Sequence, residues 1–555
     1  MLERFLPRIE FDSYEDFKEN YKVNIPEDFN FGFDIVDAYA KEEPDKMALV
    51  WCDDNDNEKK FTYYELSRLS SKTANFFKSL GIRKGDVVLM ILRRRYEYWI
   101  CATALHKIGA TIIPATMQLT KKDIAYRVNA AGVKMMICVN DAFVVEQTEL
   151  ALPETNGLEH LVLVDGKREG WHNFDEGIEN CSDVFPRPAH DDPECTHNDD
   201  IMLVYFTSGT TGMPKMVQHN FTYPLGHIVT AKYWHKVEEN KLHMSVSDSG
   251  WAKFGWGKIY GQMISGAVIF TYDMDKFIPL NLLKVITKYK VTTFCAPPTM
   301  FRFMLQEDVT QFDLSCIHHC CIAGEPLNPE VFKKWYDLTG LKLTEGFGQS
   351  ESSVIIANFP WFEPRPGSMG KPSPLYDVQL INADGEICED GEEGEICIMD
   401  VKNNPPVGLF TGYFKDPERT EERLLGKCYN LKDVAWRDSD GYYWFVGRND
   451  DVIKCSGYRI GPFEVESALL EHPSVVECAI TAAPDKIRGQ VVKATIVLAK
   501  GYSPSEELKK ELQNHVKHVT APYKYPRIID FVDELPKTVG GKIKRAEIRH
   551  NDMNK

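Results

Sequence analysis

The chain has 555 residues, of which 43% are hydrophobic and 26% charged, and its formal net charge is −17. That length exceeds one ordinary core, so two or more domains of a soluble globular protein are expected. The acidic balance, with no basic stripe to offset it, argues against nucleic acid as a partner, and a polyanionic substrate would have to be met by local positive charge.

The N-terminus, Met1-Leu-Glu-Arg-Phe-Leu-Pro-Arg-Ile-Glu10, lacks the apolar core of a secretory signal and the Arg-rich, acid-poor character of a transit peptide. No apolar stretch approaches the roughly 20 residues that span a bilayer. Fourteen scattered cysteines without Cys-x-x-Cys spacing suggest reduced thiols rather than a disulfide framework or zinc site. Together these features predict a cytoplasmic protein. Thr62-Tyr-Tyr-Glu65 has capping-box spacing before a helical pattern, and residues 87–92 read as a buried strand. A helix over 98–108 and an apolar run at 110–114 follow. This alternation, repeated near 290–296 and 320–323, predicts a parallel α/β sheet covered on both faces.

The apolar run Met202-Leu-Val-Tyr-Phe206 passes into Thr207-Ser-Gly-Thr-Thr-Gly-Met-Pro-Lys215. A buried strand followed by a hydroxyl- and glycine-rich loop can wrap an oxyanion. Gly209 and Gly212 allow close backbone approach, Thr207, Ser208, Thr210 and Thr211 supply hydroxyls, and Lys215 supplies a charge. A polyphosphate ligand is implied, although the spacing is not that of a Walker A loop. A domain boundary is expected near Arg448-Asn-Asp-Asp451. Beyond it, helices over 460–472 and 505–519 and strands over 475–481 and 492–498 make a small α+β unit.

Four further segments follow in order: Ala323-Gly-Glu-Pro326, Glu345-Gly-Phe-Gly-Gln-Ser-Glu351, Asp433 with Trp444-Phe-Val-Gly-Arg448, and Pro536-Lys-Thr-Val-Gly-Gly-Lys542. With the 207–215 loop they resemble the adenylate-forming superfamily of acyl-CoA synthetases, adenylation domains and luciferases, over essentially the whole chain. Val519-Thr-Ala-Pro-Tyr-Lys-Tyr-Pro-Arg527 and Ser456-Gly-Tyr-Arg459 resemble the medium-chain acyl-CoA synthetases most. The resemblance implies a large N-terminal domain of layered α/β subdomains over 1–449 and a small mobile α+β domain over 450–555, with Asp450 as hinge.

It also implies a reaction. A carboxylate attacks the α-phosphate of ATP to give acyl-AMP and pyrophosphate, and CoA then takes the acyl group. The first step requires two anions held together and charge neutralised on phosphorus oxygens. By resemblance, residues 207–215, with Thr207 catalytic and Met213 and Pro214 included, contact ATP together with Glu345, Gly346, Phe347, Gly348, Gln349 and Ser350. Glu351 is the catalytic ligand of Mg²⁺, which needs only one or two protein carboxylates. Asp433 accepts the ribose hydroxyls and Arg448 reaches ribose or phosphate. The family usually has Thr-Gly before this acid, whereas Leu431-Lys432 stand here, which puts the loop's backbone geometry in question. Lys542 is the adenylation lysine, present in the site only for the first half-reaction, and its acetylation would remove the charge.

For CoA the resemblance implies Gln118, Ser456, Gly457, Tyr458, Arg488, Lys517, Tyr525, Pro526 and Arg527. For the acid it implies Trp251, Trp256, Gly348, Ser350 and Arg459. Acetyl-CoA synthetases carry Trp where Gly348 stands, so Gly348 is expected to open the pocket while Trp251 or Trp256 limits its depth. Short to medium or branched acids are expected. An aryl-CoA ligase, an enzyme loading a carrier protein and, more remotely, an inactive nucleotide-binding regulator are the alternatives. No carrier domain follows Lys555, and intact Glu351, Asp433, Arg448 and Lys542 argue against the inactive form. A homo-oligomer is compatible with the sequence.

Overall fold

The computed structural model describes residues 1–207, 213–425, 428–455, 458–485, 488–537 and 543–553. Three sheets organise them. In the largest, six consecutive strands run parallel in the spatial order Met47–Asp53, Val268–Asp273, Leu242–Ser245, Thr293–Ala296, His319–Ala323 and Leu343–Phe347. Antiparallel strands from Ile356–Ala357 through Ser368–Pro372, Tyr443–Arg448 and Cys428–Arg437 extend this sheet beyond its last parallel member. The second sheet is built on Thr111–Pro114, Val87–Ile91, Val133–Val139 and His160–Val164, all parallel.

The expected rhythm is present. Thr62 accepts from the Glu65 amide and Glu65 returns a bond to the Thr62 amide, starting the helix Tyr63–Ser79. The helix Glu97–Ile108 closes on Gly109 at φ +83°, a left-handed cap that suits glycine. Every residue of Val87–Ile91 is buried, as a strand covered on both faces requires.

This topology matters because open α/β sheets bind ligands outside the carboxyl ends of their strands. Residues 247–251 follow Leu242–Ser245, the 323–326 segment closes His319–Ala323, and the 345–351 segment leaves Leu343–Phe347. In the second sheet, Thr207 ends Ile201–Thr207 and Gln118 follows Thr111–Pro114. The two sets of ends meet: a Cβ on Gly250 would stand 2.3 Å from the Thr116 amide nitrogen. Only glycine allows that approach.

The third sheet begins at Ile453 and has a separate apolar cluster that includes Ile453, Val465, Leu469, Ile480, Ile496 and Leu512. Helices Pro462–Leu470 and Glu506–Val519 flank strands Val475–Asp485 and Gly489–Leu498. The expected order is therefore present, with the two strands longer than their apolar runs because each forms one arm of a hairpin. Among the described residues no helix is long and apolar enough to cross a membrane.

Candidate active site

The hydroxyl-rich loop is held by its two ends. Strands Ile201–Thr207 and Lys215–Asn220 pair antiparallel, with Thr207 opposite Lys215. Ser208, Gly209, Thr210, Thr211 and Gly212 lie outside the described residues; Met213 is exposed, and the Pro214 carbonyl accepts the Tyr126 hydroxyl at 3.2 Å. The Lys215 ammonium lies 5.4 Å from the centre of the Tyr413 ring. Burial pushes its pKa down to about 8; Glu351 opposes that shift, while Arg423, Arg448 and Arg419 add to it. Four cations therefore face one region of a chain whose overall charge is strongly negative.

The 345–351 segment lines that region. Gly346 and Gly348 are required by close packing, since a Cβ on either would stand 2.3 Å from an indole, that of Trp234 or Trp256 respectively. The Phe347 ring lies 6.1 Å from that of Phe445. Glu345 is a tie within the fold rather than a solvent-facing group: its carboxyl accepts the Leu327 amide at 3.3 Å, and burial raises its pKa to about 8. The Ser350 carbonyl accepts from His219 Nε2 at 2.8 Å, and burial holds that imidazole neutral, near 3. Glu351 is buried; its Oε1 accepts the Tyr413 hydroxyl at 2.8 Å and its carbonyl accepts the Phe410 amide at 2.7 Å.

Asp433 and Arg448 stand directly opposite each other on paired antiparallel strands. The Gln349 side-chain amide donates to the Asp433 carboxylate and, at 2.9 Å, to the Leu431 carbonyl, while the Tyr429 hydroxyl holds Gln349 Oε1 at 3.1 Å. Lys432 is left-handed at φ +63°, and its amide is secured by Asn430 Oδ1 at 2.7 Å. That conformation costs a non-glycine residue about 1 kcal/mol. Burial opposes the charge of Arg448, but Asp433, Asp450, Asp451 and Glu351 together raise its pKa. Its Nε pairs with Asp450 at 3.5 Å and, among the described residues, makes no hydrogen bond.

Trp256 is buried in the helix Ala252–Lys258 against His227 and Trp234, while Trp251 caps that helix and is only partly buried. The space above Gly348 is therefore already filled by Trp256, so an open pocket does not follow from the glycine alone.

The residues expected to meet CoA fall into separate groups. Tyr458 stacks on Tyr523 with centroids 4.1 Å apart, the Lys517 ammonium lies 4.1 Å from the Tyr525 ring, and Arg527 donates to the Tyr525 hydroxyl at 2.6 Å. The Pro526 carbonyl accepts from Gln513 at 3.0 Å. Arg488 sits at the 485–489 turn, where its amide bonds Asp485 at 2.8 Å. Gln118 belongs to the second sheet's loop, where its amide donates to the Thr116 hydroxyl at 3.4 Å. Ser456, Gly457, Lys542 and the Arg459 side chain lie outside the described residues.

Sequence reasoning missed Tyr413, Tyr429, Arg419, Arg423 and Tyr523. Arg419 and Arg423 had a readable signal, being four apart on the helix Pro417–Arg423 and so on one face. Tyr413 had none, because its partner Glu351 is 62 residues away.

The acidic 345–351 segment, Lys215 and the Asp433–Arg448 pair come together as an adenylate-forming ligase requires, and the comparisons identify that class. The AMP-binding enzyme model matches residues 36–414 and the AMP-binding enzyme C-terminal domain model matches 464–542. The chain belongs to this family. It is 42% identical to the acyl-coenzyme A synthetase ACSM3, mitochondrial, of Homo sapiens, covering 98% of this chain and 93% of that one. To the acyl-coenzyme A synthetase ACSM5, mitochondrial, of Rattus norvegicus it is 41% identical, over 96% and 92%. A crystal structure of the anthranilate CoA ligase AuaEII in complex with anthranoyl-AMP superimposes with a TM-score of 0.87 at 28% identity, covering 96% of this chain and 98% of that one. The protein is an AMP-forming acyl-CoA synthetase that uses ATP and CoA.

The expected cytoplasmic location is overturned by these relatives, whose names place them in mitochondria. The first ten residues were a poor guide because they belong to the fold: Phe5 and Leu6 are buried.

Proposed function

We propose that Lys215, Glu351, Asp433 and Arg448 form the adenylation site, with Lys542 joining them for the first half-reaction. The observation that carries this is the gathering of charge at Glu351: Tyr413 donates to its carboxylate at 2.8 Å, the Lys215 ammonium lies 5.4 Å from the same ring, and Arg423 donates at 3.3 Å to the Leu431 carbonyl, two residues before Asp433. Such a cluster can receive a triphosphate and neutralise charge building on phosphorus oxygens. Arg448, opposite Asp433 on the paired strand, carries the guanidinium proposed to meet a ribose or phosphate oxygen. Asp433, oriented by Gln349, is the acceptor for ribose hydroxyls. Glu351 is the residue that would hold Mg²⁺, and a single buried carboxylate fits an ion that keeps most of its waters and takes phosphate oxygens. Bound there, the ion would screen the phosphates against each other.

Residues 450–555 then act as the mobile domain, turning at Asp450, and Tyr458, Lys517, Tyr525 and Arg527 meet CoA. The acid is a short to medium or branched carboxylate, because Trp256 fills the space beside Gly348. Aromatic acids are the second reading, favoured by the fold match to an anthranilate CoA ligase. By its relatives, the protein works in mitochondria. A panel of linear, branched and aromatic carboxylates, assayed for pyrophosphate release with and without CoA, tests the reading. Turnover confined to linear or branched acids supports it, and turnover confined to benzoate-like acids selects the second.

A further inference from the structure

Away from the nucleotide cleft, two segments distant in sequence meet around one carboxylate. Asp28 precedes the π-helical turn Gly32–Asp37, and residues 187–198 belong to the connection leading into Ile201–Thr207. His197 Nδ1 stands 2.7 Å from Asp28 Oδ1, His190 Nδ1 contacts Asp28 Oδ2, and Cys195 Sγ lies 3.8 Å from that same oxygen. Ligand atoms of Asp28, Cys195 and His197 all lie within 4.8 Å of one another.

The surroundings aim these groups. Asp28 is left-handed at φ +54°, and Arg187 donates to its carbonyl while pairing with Asp34 at 2.6 Å. The arginine thus leaves the Asp28 carboxylate to the imidazoles. Asn198 clamps the same turn, accepting from the Phe29 amide at 2.9 Å and donating to the Pro26 carbonyl at 2.9 Å. Cys195 is buried at the base and both histidines face solvent, so an ion could enter from outside.

We propose that Asp28, Cys195, His197 and His190 form a binding site for a zinc-class divalent cation. One thiolate, one carboxylate and two neutral imidazoles are a tetrahedral donor set, and with a dipositive ion the site is net neutral. Bonds of about 2.0–2.3 Å place tetrahedral ligands about 3.3–3.8 Å apart. The Cys195–Asp28 spacing already matches, and the His197–Asp28 pair needs to open by less than about 1 Å. The exposed His190 ring swings to complete the set. Binding releases the Cys195 thiol proton and the protons shared between the imidazoles and Asp28 to solvent, with no change of oxidation state. The ion would staple the 26–30 turn to the connection that feeds the Thr207 strand.

The test titrates the full-length protein, stripped with a chelator and held in excess Mg²⁺, with Co²⁺ alone. A near-ultraviolet thiolate-to-cobalt band saturating near one equivalent is expected, along with a rise in melting temperature on adding Zn²⁺. Cys195→Ser should abolish the band, and His197→Asn, at an exposed position, should weaken Co²⁺ binding at least about tenfold. No band, a band that survives Cys195→Ser, or affinity unchanged in His197→Asn would overturn the proposal and leave an ion-pair cluster that ties the two segments without metal. Should Cys195→Ser fail to fold, the His197→Asn titration decides alone.

Discussion

The Trp256 indole lies against the α-carbon of Gly348: a Cβ built there would stand 2.3 Å from Trp256 Cη2 and 2.8 Å from the Ser353 carbonyl oxygen. Gly348→Trp alone therefore has no room and should lose activity with every acid, instead of narrowing the enzyme to acetate. Trp256→Ala should lengthen the accepted chain, raising the kcat/KM ratio of longer over shorter acids by about tenfold or more per newly admitted methylene. Chain-length profiles of the two folded variants check this. A Gly348→Trp enzyme that keeps acetate activity would show that Trp256 yields to the new indole, and an unchanged chain-length profile would place the acyl pocket elsewhere.

The Lys215 pKa of about 8 gives a pH dependence with a definite sign. Below that value the ammonium is charged and attracts polyphosphate; above it the amine is neutral and the attraction is lost. Apparent KM for ATP should rise with pH above about 8, approaching about tenfold per unit, the limit for one proton. Lys215→Arg stays charged and should flatten the rise. A pH profile identical in both proteins would remove Lys215 from the ATP site.

Tyr413 is positioned to orient Glu351 through its hydroxyl. Tyr413→Phe keeps the ring under Lys215 and removes that bond together with the hydroxyl's hydrogen bond to Tyr429. The Mg²⁺ concentration for half-maximal activity should rise by about 10–100-fold, the usual effect of deleting a group that orients a ligand. Saturating Mg²⁺ should restore most of the rate. A lower kcat with an unchanged Mg²⁺ requirement would mean that the bond serves packing alone.

Asp450 is the proposed pivot: backbone bonds at the junction run from Asn449 to Lys432 and from Asp451 and Val452 to Arg448, and none of those described uses the Asp450 amide. Asp450→Pro should therefore fix φ without losing such a bond. Acyl-AMP build-up should survive while CoA consumption slows markedly, in a variant of near-normal melting temperature. Wild-type rates for both steps would exclude Asp450 as a required pivot.

Much of this was legible in the sequence, and the limits have physical causes. Periodicity gave the strand at 87–91 and the apolar runs that became Thr293–Ala296 and His319–Ala323, because burial on both faces writes an apolar run. Capping chemistry gave the start of the helix Tyr63–Ser79. The antiparallel strands around Asp433 and Arg448 were harder, since their pairing depends on register across a turn rather than on composition. Lys432 shows a related limit: its left-handed backbone is not one that a lysine announces in the sequence. Contacts such as Glu351–Tyr413 and Gly348–Trp256 exist only after folding brings distant loops together.

Lys542 lies outside the described residues, and its role is the point on which the two-step account turns. The most direct measurement is a pair of single-turnover assays on folded Lys542→Ala: acyl-AMP formation from acid and ATP, and thioester formation from supplied acyl-AMP and CoA. One site used in two arrangements predicts that the first rate falls by about 10²–10³-fold or more, the scale of losing a charge-stabilising donor, while the second stays near wild type. Equal losses in both half-reactions would contradict it.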